Sequence, residues 1–422
     1  MSTALQRCTA VDADVFAAEH WSRTPLLTRA KELSAVNPDA FGDLLSDDDV
    51  DELVTERALR TPFFRTVREG GGLPTPLRTV TAGSRQIGDL VDADALRSQY
   101  AEGATLVLQS LHRMHPPVAR FCRDLAAELG HATQCNAYVT PAGDAQGFDY
   151  HHDTHDVFVL QVSGRKRWIV HEPVLPLPLP SQARSGADLV PDGAEPLLDV
   201  ELEAGDCLYL PRGFVHAALT TDEHSVHLTV GVLSTTWYDV LGDAVTLAAQ
   251  EPAFRDALPV RPAGALDDLP DFLQRAAAWL AALPAEQVRE LLTTRLERAV
   301  PPEPVGPLAS AAAVAGLTAG SALRPRHGLV VRRAEAGPGR VALRLRGTVV
   351  ELPDSTRDAL DVLLAGPCRV ADLAVGGLSA DDAVVLARRM LREGVVVPAG
   401  PSTPHSSTPR SSTPHLSARS DG

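Results

Sequence analysis

The stretch from residue 146 to residue 171 constrains the fold of this chain most, because a polar histidine-rich segment leads directly into an apolar, strand-like run. Its centre is His151-His152-Asp153. Alternate side chains of an extended strand share a face, so His151 and Asp153 are predicted to project together while His152 points the other way. An imidazole beside a carboxylate supplies two of the three groups in the 2-His-1-carboxylate triad that holds non-haem Fe(II).

A third ligand is expected from a distant histidine on a neighbouring strand. The candidate is His216, which ends the segment 205–216. In that segment a turn, a short apolar strand and a second turn follow one another, so they would deliver one histidine to the next strand.

The histidine and aspartate pair has competing interpretations. Polar loops often contain His-x-Asp, so this pair alone does not define a metal site. Two nearby histidines, His152 and His155, are rivals, because a one-residue shift of strand register exchanges the two faces. We take His151 with Asp153 as the ligand pair, since the carboxylate follows the histidine at the two-residue spacing of one strand face.

A lysine lies a short distance downstream on a predicted hairpin. Residues 158–162 form an apolar strand, 163–164 a two-residue turn and 166–170 the returning strand. On the return, Lys166 shares a face with Trp168, so an inward-facing Trp168 implies an inward-facing lysine. A buried lysine requires an anion, which the carboxylate of a 2-oxo acid would supply. The alternative is a surface hairpin with solvated cations.

Further motifs run in the same order as those of a known family. They are residues 21–27, 136–143, 146–148, His151-x-Asp153, 156–161, 164–168, 205–206, 209–213, His216 and 224–229. This pattern resembles the JmjC-type 2-oxoglutarate oxygenases, specifically the cupin-like ribosomal oxygenase branch, which hydroxylates side chains of ribosomal proteins.

The resemblance implies a site and its cofactors. The iron ligands, which are also the catalytic residues, would be His151, Asp153 and His216. Lys166 would hold the distal carboxylate of 2-oxoglutarate, and Asn136 and Tyr138 would line the cosubstrate pocket. The cofactors implied are Fe(II), 2-oxoglutarate as cosubstrate and O2. The pairs 144–145 and 149–150 depart from the family pattern at the pocket mouth, so they bear on substrate identity.

The fold class implied is α+β, with a double-stranded β-helix (a cupin-like JmjC jelly roll) as the catalytic domain over residues 1–235. A helical dimerisation module (236–300), a linker (301–322) and a winged-helix-like domain (323–398) follow. Apolar residues spaced by three and four predict helices within the helical module, where an intramolecular bundle is the alternative to a homodimer. The tail from 399 to 422 repeats Ser-Thr-Pro and is predicted to be disordered.

Two further features bear on the pocket. His227 shares a face with Ser225 and Thr229, so it either lines the pocket or is a hydrogen-bonded core histidine. Residues 173–196 are rich in proline and polar side chains, which predicts a long loop over the barrel mouth that could act as a substrate lid.

Composition limits the partners. The 422 residues carry a formal net charge of −15, which argues against an obligate nucleic-acid binder and suits a basic protein or peptide. The five cysteines form no CxxC pair, so neither a zinc ribbon nor a disulfide framework is indicated and a reducing cytoplasm fits. We expect no membrane span and no signal peptide.

The predicted function is an Fe(II)- and 2-oxoglutarate-dependent dioxygenase that hydroxylates an arginine or histidine of a ribosomal protein. Alternatives are the same chemistry on another peptide or a small metabolite, and a non-catalytic metal-binding cupin scaffold. Demethylation of methyl-lysine would need a methylammonium cage, which the sequence does not indicate. The last predicted helix of the winged-helix-like region offers three arginines, at 388, 389 and 392, against three acids, at 381, 382 and 393, so we expect the region to face protein or to be structural.

Overall fold

The computed structural model describes residues 2–143, 148–258 and 267–400. The chain divides into two compact units, Met1–Pro301 and Pro302–Gly422. Motif residues 144–147, including the predicted extra loop residue, lie outside the described residues, as does the predicted disordered tail from residue 401 onward.

The first unit is built on β-strands. They are β1 (Leu26–Thr28), β2 (Phe64–Arg68), β3 (Gly71–Leu73), β4 (Leu77–Ala82), β5 (Arg85–Val91), β6 (Thr105–Leu108), β7 (Ala132–Thr140), β8 (His151–His152), β9 (Asp156–Gly164), β10 (Lys166–His171), β11 (Arg184–Ser185), β12 (Leu198–Leu202), β13 (Cys207–Leu210), β14 (Val215–Leu219) and β15 (Ser225–Leu233). One sheet has eight strands in the order β1-β13-β9-β15-β7-β6-β2-β3, and a second has five in the order β11-β8-β14-β10-β12. Strands β4 and β5 form a separate ribbon.

The two large sheets pack face to face. The apolar layer between them joins Val157, Val159 and Leu208 of the eight-stranded sheet to Trp168 and Val170 of the five-stranded sheet. In β10 the burial alternates, as a sheet with one face on the core requires, whereas β9 and β13 are buried on both faces. This is the predicted cupin-like, α+β architecture, and the prediction is confirmed at that level.

Helices cover the outer face of the eight-stranded sheet. The first unit contains α1 (Ala13–Val15), α2 (Ala30–Leu33), α3 (Asp47–Thr55), α4 (Ala93–Ala101), α5 (Pro116–Leu129), α6 (Trp237–Thr246), α7 (Pro252–Arg255), α8 (Leu269–Ala282) and α9 (Ala285–Ala299). A π-helical turn spans Phe16–His20, and 3₁₀ turns span Leu111–Arg113, Pro180–Gln182, Ala187–Leu189 and Leu247–Gln250. Phe121 and Leu125 of α5 pack with Phe158 and Leu160 in the main core. The helix α3 begins at Ser46, whose side chain accepts from the backbone amide of Asp49 as an N-cap.

The predicted hairpin over residues 158–170 is wrong. β9 pairs with β13 and β15, whereas β10 pairs with β12 and β14 in the other sheet. The chain crosses between the sheets at Gly164, which has φ +61°, and a Cβ there would lie 1.7 Å from the carbonyl oxygen of His224. Only glycine fits this crossing. Lys166 is therefore the first residue of the second sheet rather than the return of a ribbon.

The second unit, described by itself, combines two small sheets with three helices among its described residues. Its elements are α10 (Pro307–Ala315), β16 (Ala322–Pro325), β17 (Arg332–Glu335), β18 (Arg340–Leu345), β19 (Thr348–Pro353), α11 (Arg357–Ala365), β20 (Cys368–Arg369), α12 (Ala380–Arg392) and β21 (Val396–Pro398), with 3₁₀ turns at Asp354–Thr356 and Val370–Leu373. The sheets have the orders β20-β16-β21 and β17-β18-β19. The segment predicted as a linker, 301–322, thus contains a helix.

Candidate metal and cosubstrate site

Three potential metal ligands meet in the first unit. His151 of β8 and His216 of β14 are direct partners in the five-stranded sheet, and Asp153 directly follows the end of β8. One ligand atom from each of the three lies within 4.8 Å of the other two. His216 Nε2 is 3.9 Å from Asp153 Oδ2. The structure thus brings together the three residues that the sequence singled out.

The backbone fixes the tautomer of both histidines. His151 Nδ1 lies 2.9 Å from the carbonyl oxygen of Asp149, and His216 Nδ1 lies 3.0 Å from that of Phe214. A carbonyl oxygen can only accept, so each Nδ1 carries the proton and each Nε2 keeps a free lone pair. In both cases the carbonyl belongs to the residue two positions earlier.

Local electrostatics favour the metal-binding protonation states. Burial, followed by the neighbouring His151, lowers the pKa of His216 to about 4, so its imidazole is neutral at pH 7. Burial alone would raise the pKa of Asp153, but the surrounding histidines, His216 first, hold it below its ordinary value. Two neutral nitrogens and one carboxylate oxygen therefore converge, and this donor set suits non-haem Fe(II).

Neither rival histidine belongs to this cluster. His152 is buried, and neither of its ring nitrogens has a hydrogen-bond partner in the described protein. His155 lies against the backbone of Gly231, where a Cβ would come within 2.4 Å of the imidazole. The register that points His151 toward the other ligands is the one the structure adopts.

The ligands open into a cavity of about 170 Å³ between the two sheets. Residues from both sheets and from the mouth line it: Arg65, Thr105, Tyr138, Phe148, His151, Asp153, Val157, Val159, Lys166, Trp168, His216, Ala218, His227 and Thr229. Only one of these residues, Asp153, is acidic, so an anion entering from solvent meets few like charges.

Lys166 faces this cavity and is 3% exposed. Its Nζ donates to Thr140 Oγ1 at 2.9 Å, and Thr140 also accepts from Thr105 at 3.2 Å. Within the described residues Lys166 forms no ion pair with a carboxylate. Burial lowers its pKa to about 7. The solvated-surface alternative therefore does not apply, and an anionic ligand in the cavity would stabilise the charged form of this lysine.

Of the two other predicted cosubstrate contacts, only Tyr138 reaches the cavity. Burial, with a further contribution from Asp153, raises its pKa to about 12, so the phenol stays neutral. Asn136 lies two residues earlier on β7, where its Oδ1 accepts from the backbone amide of Ser110 at 2.9 Å. Its side chain also interacts with Tyr138. Among the described residues, Asn136 is thus a neighbour of the cavity wall rather than part of it.

Sequence reasoning did not single out Arg65, Thr105 or Ala218 of the cavity lining, and it named Phe148 only as part of the motif 146–148. The guanidinium of Arg65 lies 5.0 Å from the centre of the Phe148 ring, as a cation over an aromatic face. Arg65 belongs to β2, far away in sequence, and no local pattern marked it as a site residue. Arg65 occupies one of the more exposed positions of this strand, so strand patterning did not single it out either.

The predicted lid contains one ordered attachment to the site. Within 173–196, the strand β11 pairs with β8, with Ser185 opposite His151. The next amide, that of Gly186, donates to the carbonyl of Tyr150 at 2.8 Å. This segment therefore extends the sheet that carries the metal ligands.

Comparison with known proteins agrees with this geometry. Residues 108–240 match the JmjC domain family. The chain is 38% identical over 173 residues to the bifunctional lysine-specific demethylase and histidyl-hydroxylase NO66 of Dictyostelium discoideum, covering 38% of this chain and 32% of that protein. It is 32% identical over 259 residues to ribosomal oxygenase 1 of Gallus gallus, covering 58% of this chain and 40% of that protein.

A solved structure shares the fold over nearly the whole chain. YcfD, a ribosomal oxygenase from Escherichia coli determined in complex with cobalt and 2-oxoglutarate, superposes with a TM-score of 0.52 at 20% identity, covering 92% of this chain and 99% of that chain. The cupin-like fold and the match over residues 108–240 make this part of the chain similar to the JmjC domain family. More particularly, the chain is similar over part of its length to the ribosomal oxygenases, which confirms the predicted resemblance. It spans less than half the length of these two curated relatives.

Proposed function

We propose that this protein is an Fe(II)- and 2-oxoglutarate-dependent oxygenase that hydroxylates a side chain of a ribosomal protein. The observation that carries the proposal is the combination of His151, Asp153 and His216 with the buried cation Lys166 in one cavity. A protein that only bound a metal would not need an inward, unpaired lysine. The names of the relatives, ribosomal oxygenase and histidyl-hydroxylase, support the same activity.

The chain's own residues have distinct tasks in this proposal. His151, Asp153 and His216 would hold Fe(II), and Lys166 would pair with the distal carboxylate of 2-oxoglutarate. When bound, iron, 2-oxoglutarate and O2 supply the oxidising chemistry that acts on an unactivated C–H bond. The apolar wall that includes Val157, Val159 and Trp168 keeps bulk water away from this end of the cavity.

The substrate proposed is an arginine or histidine side chain presented by a basic protein. The net charge of −15 favours encounter with basic ribosomal proteins. Demethylation of methyl-lysine fits the described cavity less well, because its aromatic rings are already engaged. Tyr138 stacks on His227, Trp168 packs across His227, and Arg65 covers Phe148. These rings do not leave a free cage for a methylammonium group.

The function is tested by mass spectrometry of ribosomal proteins from cells that lack this protein. We expect one ribosomal peptide to lose a one-oxygen mass increment in the deletion strain and to regain it when the parent gene is restored. The control is restoration with Asp153→Ala, which should not return the increment because a metal ligand is missing. Identical spectra from deletion and parent cells, at full coverage of the ribosomal proteins, would contradict the ribosomal substrate.

We also propose that the helical module, residues 236–300, forms a homodimer. Along α6, four large apolar side chains are exposed: Trp237 (84%), Tyr238 (66%), Leu241 (49%) and Val245 (52%). Leu269, Phe272 and Leu273 of α8 are exposed as well. Apolar patches of this kind usually mark protein interfaces. Arg295 of α9 donates from Nε to Oδ2 of Asp243 on α6 at 2.7 Å. This contact fixes α6 against α9 and leaves the four apolar side chains of α6, the exposed stripe, facing outward.

We expect light scattering at micromolar concentration to report twice the mass of one chain. Leu241→Asp should shift the protein toward the monomer, because a carboxylate in the stripe would be buried without a partner. Val385→Asp, a matched change at an exposed aliphatic residue of α12, should leave the mass unchanged. A parent protein that is monomeric throughout this range would overturn the dimer.

The C-terminal region, 323–398, is proposed to be a winged-helix-like domain with a structural or protein-facing role. Several arginines on its surface pair with acids, as in the pairs Arg340–Glu351 and Arg357–Asp354. An arginine held in such a pair is less available to a phosphate backbone than an unpaired one.

The proposed location is a reducing cytoplasm. It is supported by the five cysteines, all of which are free thiols. Within the described residues, no helix combines the length and the apolar character that a membrane crossing demands.

A further inference from the structure

One histidine of the cavity has no role in the site described above. His227 of β15 is 3% exposed and lines the cavity together with Lys166. Its Nδ1 is buried and has no hydrogen-bond partner among the described residues. The indole N–H of Trp168, on the same cavity, also finds no acceptor there. Buried polar atoms in folded proteins are nearly always paired, and His227, unlike His152, lines the cavity, so a group bound there could supply the missing partner of His227.

The fold holds the His227 ring in one orientation. The pairing of β15 with β9 shifts register between Val226 and His227, and such a bulge redirects a side chain next to a functional site. The imidazole stacks on Tyr138, with ring centres 4.9 Å apart and an interplanar angle of 5°. Trp168 packs against it edge-on, at 5.5 Å and 80°. A polar atom fixed between two aromatic rings is preorganised for a partner at a defined position.

The surroundings determine which kind of partner fits. Burial, and then the charge of Lys166, hold the pKa of His227 well below its ordinary value, so the ring is neutral. A neutral imidazole has one N–H and one lone pair, whereas the lysine ammonium has only donors. A carboxylate has only acceptors, so it can satisfy both residues at once when His227 carries its proton on Nδ1.

We propose that His227 is a second, uncharged recognition residue for the distal carboxylate of the 2-oxo dicarboxylate cosubstrate, donating its Nδ1–H while Lys166 supplies the charge. This inference rests on the proposed function, because it assigns a residue to the cosubstrate of that reaction. The proposal replaces the alternative interpretation, in which His227 is a core histidine with only a packing role. Under the proposal, His227 contributes to the selection of the ligand by the cavity.

Three substitutions separate recognition from packing. His227→Phe keeps an aromatic ring between Tyr138 and Trp168 but removes both nitrogens. His227→Asn places an amide nitrogen where Nδ1 lies, whereas His227→Gln places it nearer the position of Nε2. Recognition through Nδ1–H predicts that the asparagine variant restores binding and the glutamine variant does not. A packing role predicts that phenylalanine is the best replacement of the three.

The measurement is calorimetric titration of 2-oxoglutarate into the Co(II)-loaded full-length protein, with the Co(II) affinity and the melting temperature of each variant recorded separately. We expect His227→Phe and His227→Gln to bind 2-oxoglutarate about ten- to a hundredfold more weakly, the range for a lost hydrogen bond to a charged group. His227→Asn should bind within about threefold of the parent, since it restores that bond. Co(II) affinity should be unchanged in all three.

Three results would overturn the inference. In the first, His227→Phe binds 2-oxoglutarate as tightly as the parent while Lys166→Ala does not, so the proposed function stands and His227 is only packing. In the second, the three variants lose affinity in step with their melting temperatures and asparagine gives no rescue. In the third, the Co(II)-loaded parent binds no 2-oxoglutarate, and the proposed function then fails together with this inference.

Discussion

The variant His216→Ala loses 2-oxoglutarate turnover and binds iron far more weakly, while its fold is retained. This expected result follows from the site, because His216 is one of the three proposed ligands among the described residues, and its loss leaves only the neighbouring pair His151 and Asp153. The side chain lies at the cavity wall, so truncation removes few core contacts. Substitutions that remove a metal ligand are among those with the largest effects on metal affinity and stability. The measurements are succinate formation, iron content and circular dichroism on matched preparations.

The control for His216→Ala is His152→Leu. His152 is also a buried histidine beside the ligands, but both of its ring nitrogens lack partners in the described protein, so leucine removes no hydrogen bond. We expect this variant to keep parental iron content and turnover. If His216→Ala retained turnover, or if His152→Leu lost iron as completely, the assignment of ligands would be wrong.

The second large effect is expected for Lys166→Ala, which should weaken 2-oxoglutarate binding by about a hundredfold or more. Removing one member of a buried, hydrogen-bonded charge pair costs about 3–5 kcal/mol, and each 1.4 kcal/mol is about tenfold in affinity. Iron affinity should change far less, since Lys166 is not a ligand. Lys166→Arg should retain part of the affinity, because the charge remains while its shape changes. A 2-oxoglutarate titration of the iron-loaded protein, without oxygen, measures all of these.

The neighbouring residue provides the control for this experiment. Arg167 points outward from the same strand and pairs with Asp199, with Nε to Oδ1 at 2.7 Å. Arg167→Ala should therefore leave 2-oxoglutarate affinity at the parental level. Equal affinity in the parent and Lys166→Ala would remove the cosubstrate assignment, and the metal-binding scaffold would become the better description.

The pH dependence of binding gives an independent check on Lys166. In the free protein its pKa is about 7, so the lysine is charged below that pH and increasingly neutral above it. A bound carboxylate favours the charged form and raises this pKa. Binding therefore takes up a proton above pH 7, and affinity should fall by up to about tenfold per pH unit in that range. Lys166→Met should abolish this slope.

Much of the site could be predicted because its central residues obey a local rule. Successive side chains of a strand point to opposite faces, so residues two apart share a face. This rule alone paired His151 with Asp153 and Lys166 with Trp168. The structure buries Lys166 and Trp168 and exposes Arg167, as that alternation requires. The cupin-like architecture followed from motif order rather than from any single segment.

Other features depend on contacts that no local pattern contains. Two strands joined by Ser163 and Gly164 read as a hairpin, yet β9 and β10 lie in different sheets, since strand pairing is decided by distant partners. Arg65 reaches the cavity from β2, far upstream in sequence. The orientation of the His227 side chain depends on a β-bulge, which redirects the side chain but leaves no mark in the hydrophobic pattern of the sequence. The helix α10 within the predicted linker was missed because proline and small residues surround it.

The carbonyl groups that contact Nδ1 of His151 and His216 affect which substitutions this site can tolerate during evolution. The carbonyl groups of Asp149 and Phe214, not their side chains, orient the two imidazoles. Phe214 is fixed by its place in the apolar core between the sheets, but the side chain of Asp149 can vary without removing the carbonyl that orients His151. The side chain of Asp149 is exposed, next to Phe148 at the cavity mouth. A substitution at Asp149 can therefore change the chemistry of the cavity mouth two residues before the proposed ligand His151, while the backbone contact that orients His151 is kept.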